Sequence, residues 1–423
     1  MRISQLRRIG QGLAVMAAGL ALAACSNLLD VQFPGRIPAD QIDSPSLAPV
    51  LARSVIGDLE CAYNNYMSGS AAQSDEFESA NGNVPGANWG ERSINADEDD
   101  YVLGACENSS YFGMHGTLQT ARFQAEDIFA RLSGWTDAQV PGRQSLMATV
   151  KAYGGFPYLF MGETFCQVAF DGKAPSTLAE GGKPALVLAE TKFTEAIALA
   201  QTAGNTDILN LARVGLARAK LDLKKYAEAA AVAALVPAGY VKMADRGTES
   251  SRRWNKLFYF MSQNGYFVVA QAFRNSPDPR IAVVDAGRDA FNPGTRLYAT
   301  TKYAALNSPE VLASGREARL IQAEGLAETG NVAGAMALVN TRRAEVGLGP
   351  VSAGTTAAAV TIILNERRAE LAFEGGHRLN DLLRRGLPWK GAQGSTKTSN
   401  EFTGRLYGAT TCWPLPTKEK NGA

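Results

Sequence analysis

Apolar positions recur with a helical period over most of the chain and alternate as a strand requires almost nowhere. Leu47, Val50, Leu51, Val55 and Leu59 are spaced for one face of a helix that starts near Ser46 and ends around Tyr66. Residues 118–132 and 144–160 repeat that pattern. Residues 185–201, 210–223 and 226–235 read as three Ala-rich amphipathic helices, the last closed by Pro237. Two more fill residues 317–347, divided at Thr329-Gly330-Asn331. A helix over 360–373 is stopped by Gly375-Gly376, because glycine accepts the left-handed conformation that ends a last turn. Leu379, Leu382 and Leu383 then give an apolar side to a short helix ending at Gly386. Residues 69–111 read as loop, rich in Gly, Asn and Ser, and the apolar runs Phe267–Val269 and 281–284 predict only a minor hairpin or buried loop. The fold class is mostly α.

The helices are expected in pairs. LDLKKYAEAA followed by Pro237 resembles the turn of a tetratricopeptide repeat, in which Tyr packs the turn and small Ala residues let helices approach. EARLIQAEGLAETGNVAGAMALVN is a second copy, which sets repeat-like pairs at about 185–237 and 310–348. A single pair cannot bury its own apolar face, so stacked neighbours are implied.

Residues 1–24 stand apart. Arg2, Arg7 and Arg8 precede an apolar run too short to span a bilayer, the pattern of a secretory signal. It ends in Leu22-Ala23-Ala24-Cys25, which resembles a bacterial lipobox and implies cleavage before Cys25 and its acylation. Residues 25–45 would be a tether and 46–423 a single domain. Cys61, Cys106, Cys166 and Cys412 remain, an even count that suggests two disulfides in an exported chain. Four cysteines allow three connectivities that sequence alone does not resolve; the expected pairing is Cys61–Cys106 and Cys166–Cys412. A formal net charge of +1 gives no global field to attract nucleic acid.

The densest charge lies in ERRAELAFEGGHRLNDLLRRG, residues 366–386. Glu366 and Glu370 share a helix face, the arrangement of an acid and base pair. Arg367, Arg368, Arg378, Arg384 and Arg385 crowd them, and a neighbouring guanidinium lowers a carboxyl pKa, the wrong direction for a general acid. His377 and Asp381, with Glu374 near, fall short of the ligands a zinc site needs. The expectation is a structural ion-pair network of Glu366, Arg367, Glu370, Arg378 and Asp381, with no catalytic residue, metal or cofactor.

That stretch is also similar to the C-terminal signature of SusD/RagB outer-membrane lipoproteins: a Glu-Arg-Arg-x-Glu-Leu helix, a Glu-Gly-x-Arg turn and an Asp-Leu-x-Arg-x-Gly segment. Gly376-His377 stands where the pattern has one residue before Arg378, so the turn is expected to bulge. The resemblance extends to residues 317–349 with Asn340, Arg343, Gly347 and Leu348, to Asp278-Pro279-Arg280, to Lys302-Tyr303, to Trp413-Pro414-Leu415-Pro416, and to Cys25-Ser26-Asn27. Residues 67–140 carry none of it. The resemblance implies a SusD-like helical fold with tetratricopeptide-like pairs and long irregular loops. It further implies a non-catalytic, lipid-anchored lid on a TonB-dependent SusC-like barrel transporter, binding a glycan or other nutrient at the outer membrane. The alternative is a lipid-anchored repeat scaffold for outer-membrane protein assembly.

Sugar rings stack their C–H faces on flat aromatic side chains, so the loop aromatics Trp89, Tyr101, Tyr111 and Trp254 are the candidate ligand contacts; ordinary packing is the competing reading for each. The run Asp97 to Asp100 lacks the spacing of the twelve-residue calcium loop and reads as a solvated charge run.

Overall fold

A computed structural model describes residues 42–80, 84–104, 106, 112–397 and 405–420. The lipobox and Cys25 lie outside them, as does Tyr111. Residues 48–423 form one compact unit. Its helices are α1 (Ala48–Gln73), α2 (Val84–Gly90), α3 (Asp99–Leu103), α4 (Met114–Gly134), α5 (Arg143–Thr164), α6 (Lys183–Ala203), α7 (Thr206–Asp222), α8 (Tyr226–Ala233), α9 (Gly315–Glu328), α10 (Val332–Glu345), α11 (Thr356–Glu370), α12 (His377–Arg385) and α13 (Thr417–Lys420).

Successive long helices pack on one another: α4 on α5, α5 on α6, α6 on α7, and α7 on α8. Phe193 of α6 is buried in the middle, against Gly155 of α5 and Gly215 of α7, where a Cβ on either glycine would strike its ring. The two predicted repeat pairs are not separate. Helix α8 packs directly on α9, so the array runs on through α10, α11 and α12 across an insertion of some eighty residues between them. Strand pairing closes that insertion at its base, with β2 (Val241–Ala244) antiparallel to β6 (Glu310–Ser314), the strand that runs straight into α9.

Among its described residues, the loop expected over 69–111 includes helix and strand. Every residue of α1 from Leu59 to Gln73 is buried, and that burial carries the helix past the Gly and Ser residues that make its sequence look like a loop. Further on lie α2, α3 and β1 (Phe77–Ser79). Strand β1 pairs with β3 (Phe267–Val269), almost two hundred residues away. The second apolar run does form a hairpin, but its strand starts at Val283: β4 (Val283–Asp289) pairs with β5 (Arg296–Thr300). Both disulfides are present, Cys61–Cys106 and Cys166–Cys412, with Cα atoms 5.3 and 5.0 Å apart.

Candidate functional site

The charged stretch is a hub of the scaffold. Glu366 accepts from Arg280 at 2.7 Å and from Arg343 at 2.5 Å, while Glu370 takes Arg342 in a two-pronged contact at 2.9 Å on both oxygens. Arg367 holds Asp381 at 2.9 Å, and Arg384 bridges Asp381 at 2.6 Å to Glu324. Burial alone would raise the Asp381 carboxyl, but the Arg367 and Arg384 guanidiniums overcome it and hold the group at about 2. Arg378 is not joined to these carboxylates; it clamps Asp75, just beyond α1, at 2.6 Å. The anticipated bulge is taken up by two consecutive left-handed glycines, Gly375 at φ 52° and Gly376 at φ 71°.

The other matched segments converge here. Lys302 reaches Glu374 at 2.8 Å, the Tyr303 hydroxyl donates to the Phe373 carbonyl, and Arg280 meets Glu366. Beneath them a pair that sequence reasoning missed, Arg218 and Glu163, is fully buried, with Arg218 also donating to the Gly375 carbonyl at 2.8 Å. Glu366, Glu370, Glu324 and Asp381 each face at least one arginine, and Glu374 faces Lys302. Burial and the surrounding arginines push His377 well below its ordinary value, so it stays neutral. Among the described residues no group of three or more His, Cys, Asp or Glu is placed to hold a metal ion.

Trp89, Tyr101 and Trp254 do not form a site. Trp89 and Tyr101 are 2% and 1% exposed, packed in one core cluster with Phe112, Phe165 and Trp413. Neither can offer a ring face to a ligand, because Trp89 is packed on Phe112 and Trp413 and Tyr101 on Trp89 and Phe165. Trp254 is half-buried beside Tyr259. Asp97 caps α13 through the Thr417 amide at 2.7 Å and its hydroxyl at 2.6 Å.

A better candidate lies elsewhere. A groove of about 870 Å³ is walled by α4, α5, the start of α6 and the loop after Cys166. Phe123 projects into it from α4 with 60% of its surface exposed, and Phe170 faces it from the loop. Between them runs a polar ladder. Arg122 donates to Asp171 at 3.0 Å and to the Tyr158 hydroxyl at 3.4 Å; Tyr158 donates to Glu126 at 3.1 Å, and Lys192 pairs with Glu126 at 2.6 Å. The Arg122 guanidinium lies 5.3 Å from the Phe170 ring, within range of a cation–π contact.

The loop is fixed at its base and across its middle. Cys166 is bonded to Cys412 and donates its amide to the Trp413 carbonyl at 2.9 Å. Ser176 ties the two limbs together, its hydroxyl donating to Gly181 and accepting from the Val168 amide. Asp171 sits at φ 55°, a left-handed conformation that costs an L residue energy and is held where surrounding structure over-determines it. Here it sets a carboxylate on Arg122.

A sequence profile of the SusD family matches residues 317–421, the segment that supplies Glu324, Glu366, Arg367, Glu370, Asp381 and Arg384 to the hub and also holds Trp413. Residues 317–421 are similar to the SusD family, and the fold around them is SusD-like. A SusD-like carbohydrate binding protein from Bacteroides vulgatus superposes with a TM-score of 0.68 at 15% identity, covering 90% of this chain and 96% of that one. A laminarin binding SusD-like protein gives 0.60 at 17% identity, over 88% and 97%. A SusD-like carbohydrate binding protein from Bacteroides fragilis gives 0.63 at 14%, over 90% and 98%. No curated protein matches the sequence.

Within this SusD-like frame, the groove residues Phe123, Tyr158, Phe170 and Lys192 were not legible as a site. Phe123 and Tyr158 sit at helical positions, where an aromatic reads as core, and only the exposure of Phe123 in the fold separates it from its buried neighbours. No described helix is long and apolar enough to cross a membrane.

Proposed function

We propose that this chain is a non-catalytic glycan-binding lipoprotein of the outer membrane, anchored through acylated Cys25, that passes its ligand to a TonB-dependent SusC-like barrel transporter. The observation that carries the binding role is the groove at Phe123 and Phe170: two aromatic surfaces flanking a row of charged donors and acceptors, the combination that receives the C–H faces and the hydroxyls of a sugar. The SusD-like fold and the carbohydrate-binding relatives support it. The lipobox supports the anchor, since several acyl chains, each buried methylene adding about 0.8 kcal/mol, hold a domain on a membrane. Trp254 is retained as a second platform.

Calorimetric titration against a panel of soluble polysaccharides tests the binding role. Saturable binding by the wild type, weakened about tenfold in Phe123→Ala at unchanged thermal stability, is expected. Binding to no member of the panel returns the chain to the scaffold reading. Affinity purification from detergent-solubilised outer membrane of the source cell checks the partner, with a barrel transporter expected in the eluate.

A further inference from the structure

Two small hollows meet beside α1. One, of about 330 Å³, lies between Ser54 and Gly57 of that helix and the turn that carries Ser250 and Arg253. The other, of about 340 Å³, is walled by Val102 and Leu103 of α3, by Thr117 and Thr120 of α4, and by the Cys61–Cys106 bond. Asp58, Cys61 and Arg252 line both, so these residues stand where one hollow passes into the other.

Most of the charge around this junction is already engaged. Arg246 is held by Glu310 at 2.9 Å. Glu60 accepts from the Asp245 amide at 2.8 Å and faces Arg253 at 3.4 Å, and Arg253 also meets Glu249 at 3.1 Å. Asp58 and Arg252 are what is left. Among the described residues neither side chain makes a hydrogen bond or an ion pair, and the two do not touch; only attraction through space links them. Both are firmly mounted, Asp58 half-buried on α1 and Arg252 on a backbone whose amide donates to the Ser250 hydroxyl at 3.3 Å. Burial keeps the Asp58 carboxyl above its ordinary value in spite of Arg252. A cation in direct contact would relieve that penalty.

We infer that this junction is a site for a free α-amino acid, with the ligand's ammonium on Asp58, its carboxylate on Arg252 and an apolar side chain in the hollow between α3 and α4. The inference is independent of the glycan reading and concerns a different ligand. A guanidinium matches a carboxylate with two parallel donors, and an ionised partner at each end makes both hydrogen bonds charge-assisted. A simple anion would meet the Asp58 carboxylate as well as Arg252, and a simple cation would meet Arg252 as well as Asp58. Only a ligand that carries both charges close together answers both groups.

The walls separate this class from a sugar. No aromatic side chain lines either hollow among the described residues, so a pyranose finds no ring to stack on. Val102, Leu103 and the disulfide instead offer an aliphatic surface. Hollows of about 330 and 340 Å³ also sit at the lower end of the size range for ligand sites, which suits one small molecule.

The test is calorimetric titration of the wild type, Asp58→Asn and Arg252→Gln with L-leucine, L-valine and L-phenylalanine, and with two capped forms, N-acetyl-L-leucine and L-leucinamide. Circular dichroism and a melting curve confirm that the variants fold. Expected is saturable binding of at least one free amino acid by the wild type, with either cap on leucine weakening it at least about tenfold. Asp58→Asn should abolish the penalty for acetylation and keep that for amidation; Arg252→Gln should do the reverse. Failure of all three amino acids to bind overturns the site, as does equal binding of free and capped leucine, or cap penalties that persist unchanged in both variants. Polysaccharide titrations on the same variants keep the two readings apart. Unchanged polysaccharide binding is expected, and its loss would give the junction to the glycan and overturn the amino-acid assignment.

Discussion

Asp171 shows how one residue's backbone carries a functional reading. An L residue at φ 55° costs energy that glycine does not pay. Asp171→Gly should therefore keep or raise stability, by up to about 1 kcal/mol, while freeing Arg122 and weakening glycan binding; a melting curve and a titration on the same variant read the two effects separately. Glu317 makes a different point. Burial drives its carboxyl up to about 7 against the pull of Arg218 and Arg367. A raised carboxyl pKa favours the folded state fully below the unfolded value near 4.3, and that contribution is lost as pH rises through about 7. Glu317→Gln, neutral at every pH, should thus gain on the wild type in melting temperature between about pH 5 and about pH 8. A difference independent of pH would contradict this. Composition gives no hint of either residue's state, since a left-handed aspartate and a neutral buried glutamate are created by their surroundings.

Helices were the legible elements. The period of apolar positions located α4 to α12 within a few residues, because most of those helices keep an exposed face whose polar residues mark the pattern; α5, buried throughout Val150–Met161, is read from its exposed first turns and its apolar run. It failed for the last part of α1, which is buried on every side and so has no polar face to reveal its period. Strand β1 escaped for another reason: its partner β3 is remote in sequence, and a three-residue strand has no signal of its own. Among paired elements, α11 and α12 are locked by Arg367 and Asp381. Removing one partner of a buried pair leaves an uncompensated charge, so Asp381→Ala should cost about 3–5 kcal/mol in urea unfolding. The depressed pKa of Asp381 gives the acid side of the same linkage. Its stabilisation is present above the unfolded value near 4 and is lost as pH falls through about 2. Acid unfolding monitored by circular dichroism should lose that component in Asp381→Asn.

Across the whole molecule, the long-range ties are what place the groove. The Cys166–Cys412 bond closes 246 residues of chain and fixes the base of the loop that carries Phe170 and Asp171. A Cys166→Ser, Cys412→Ser double variant should lose about 2–5 kcal/mol of stability, and its glycan affinity should fall further than that of a Cys61→Ser, Cys106→Ser variant compared at equal folded fraction. Titration at a temperature where both are fully folded checks the order.

By itself the sequence determined the helical class, the pairing of helices, the expectation of two disulfides and the structural character of the arginine-rich tail. Each of these is written locally, in periodicity, capping glycines, cysteine count or a contiguous motif. Only the tertiary structure decided that Trp89 and Tyr101 are core, that α8 meets α9, and that Phe123 stands exposed over a groove. Solvent exposure and the joining of distant walls depend on which surfaces pack together, and no local pattern records that.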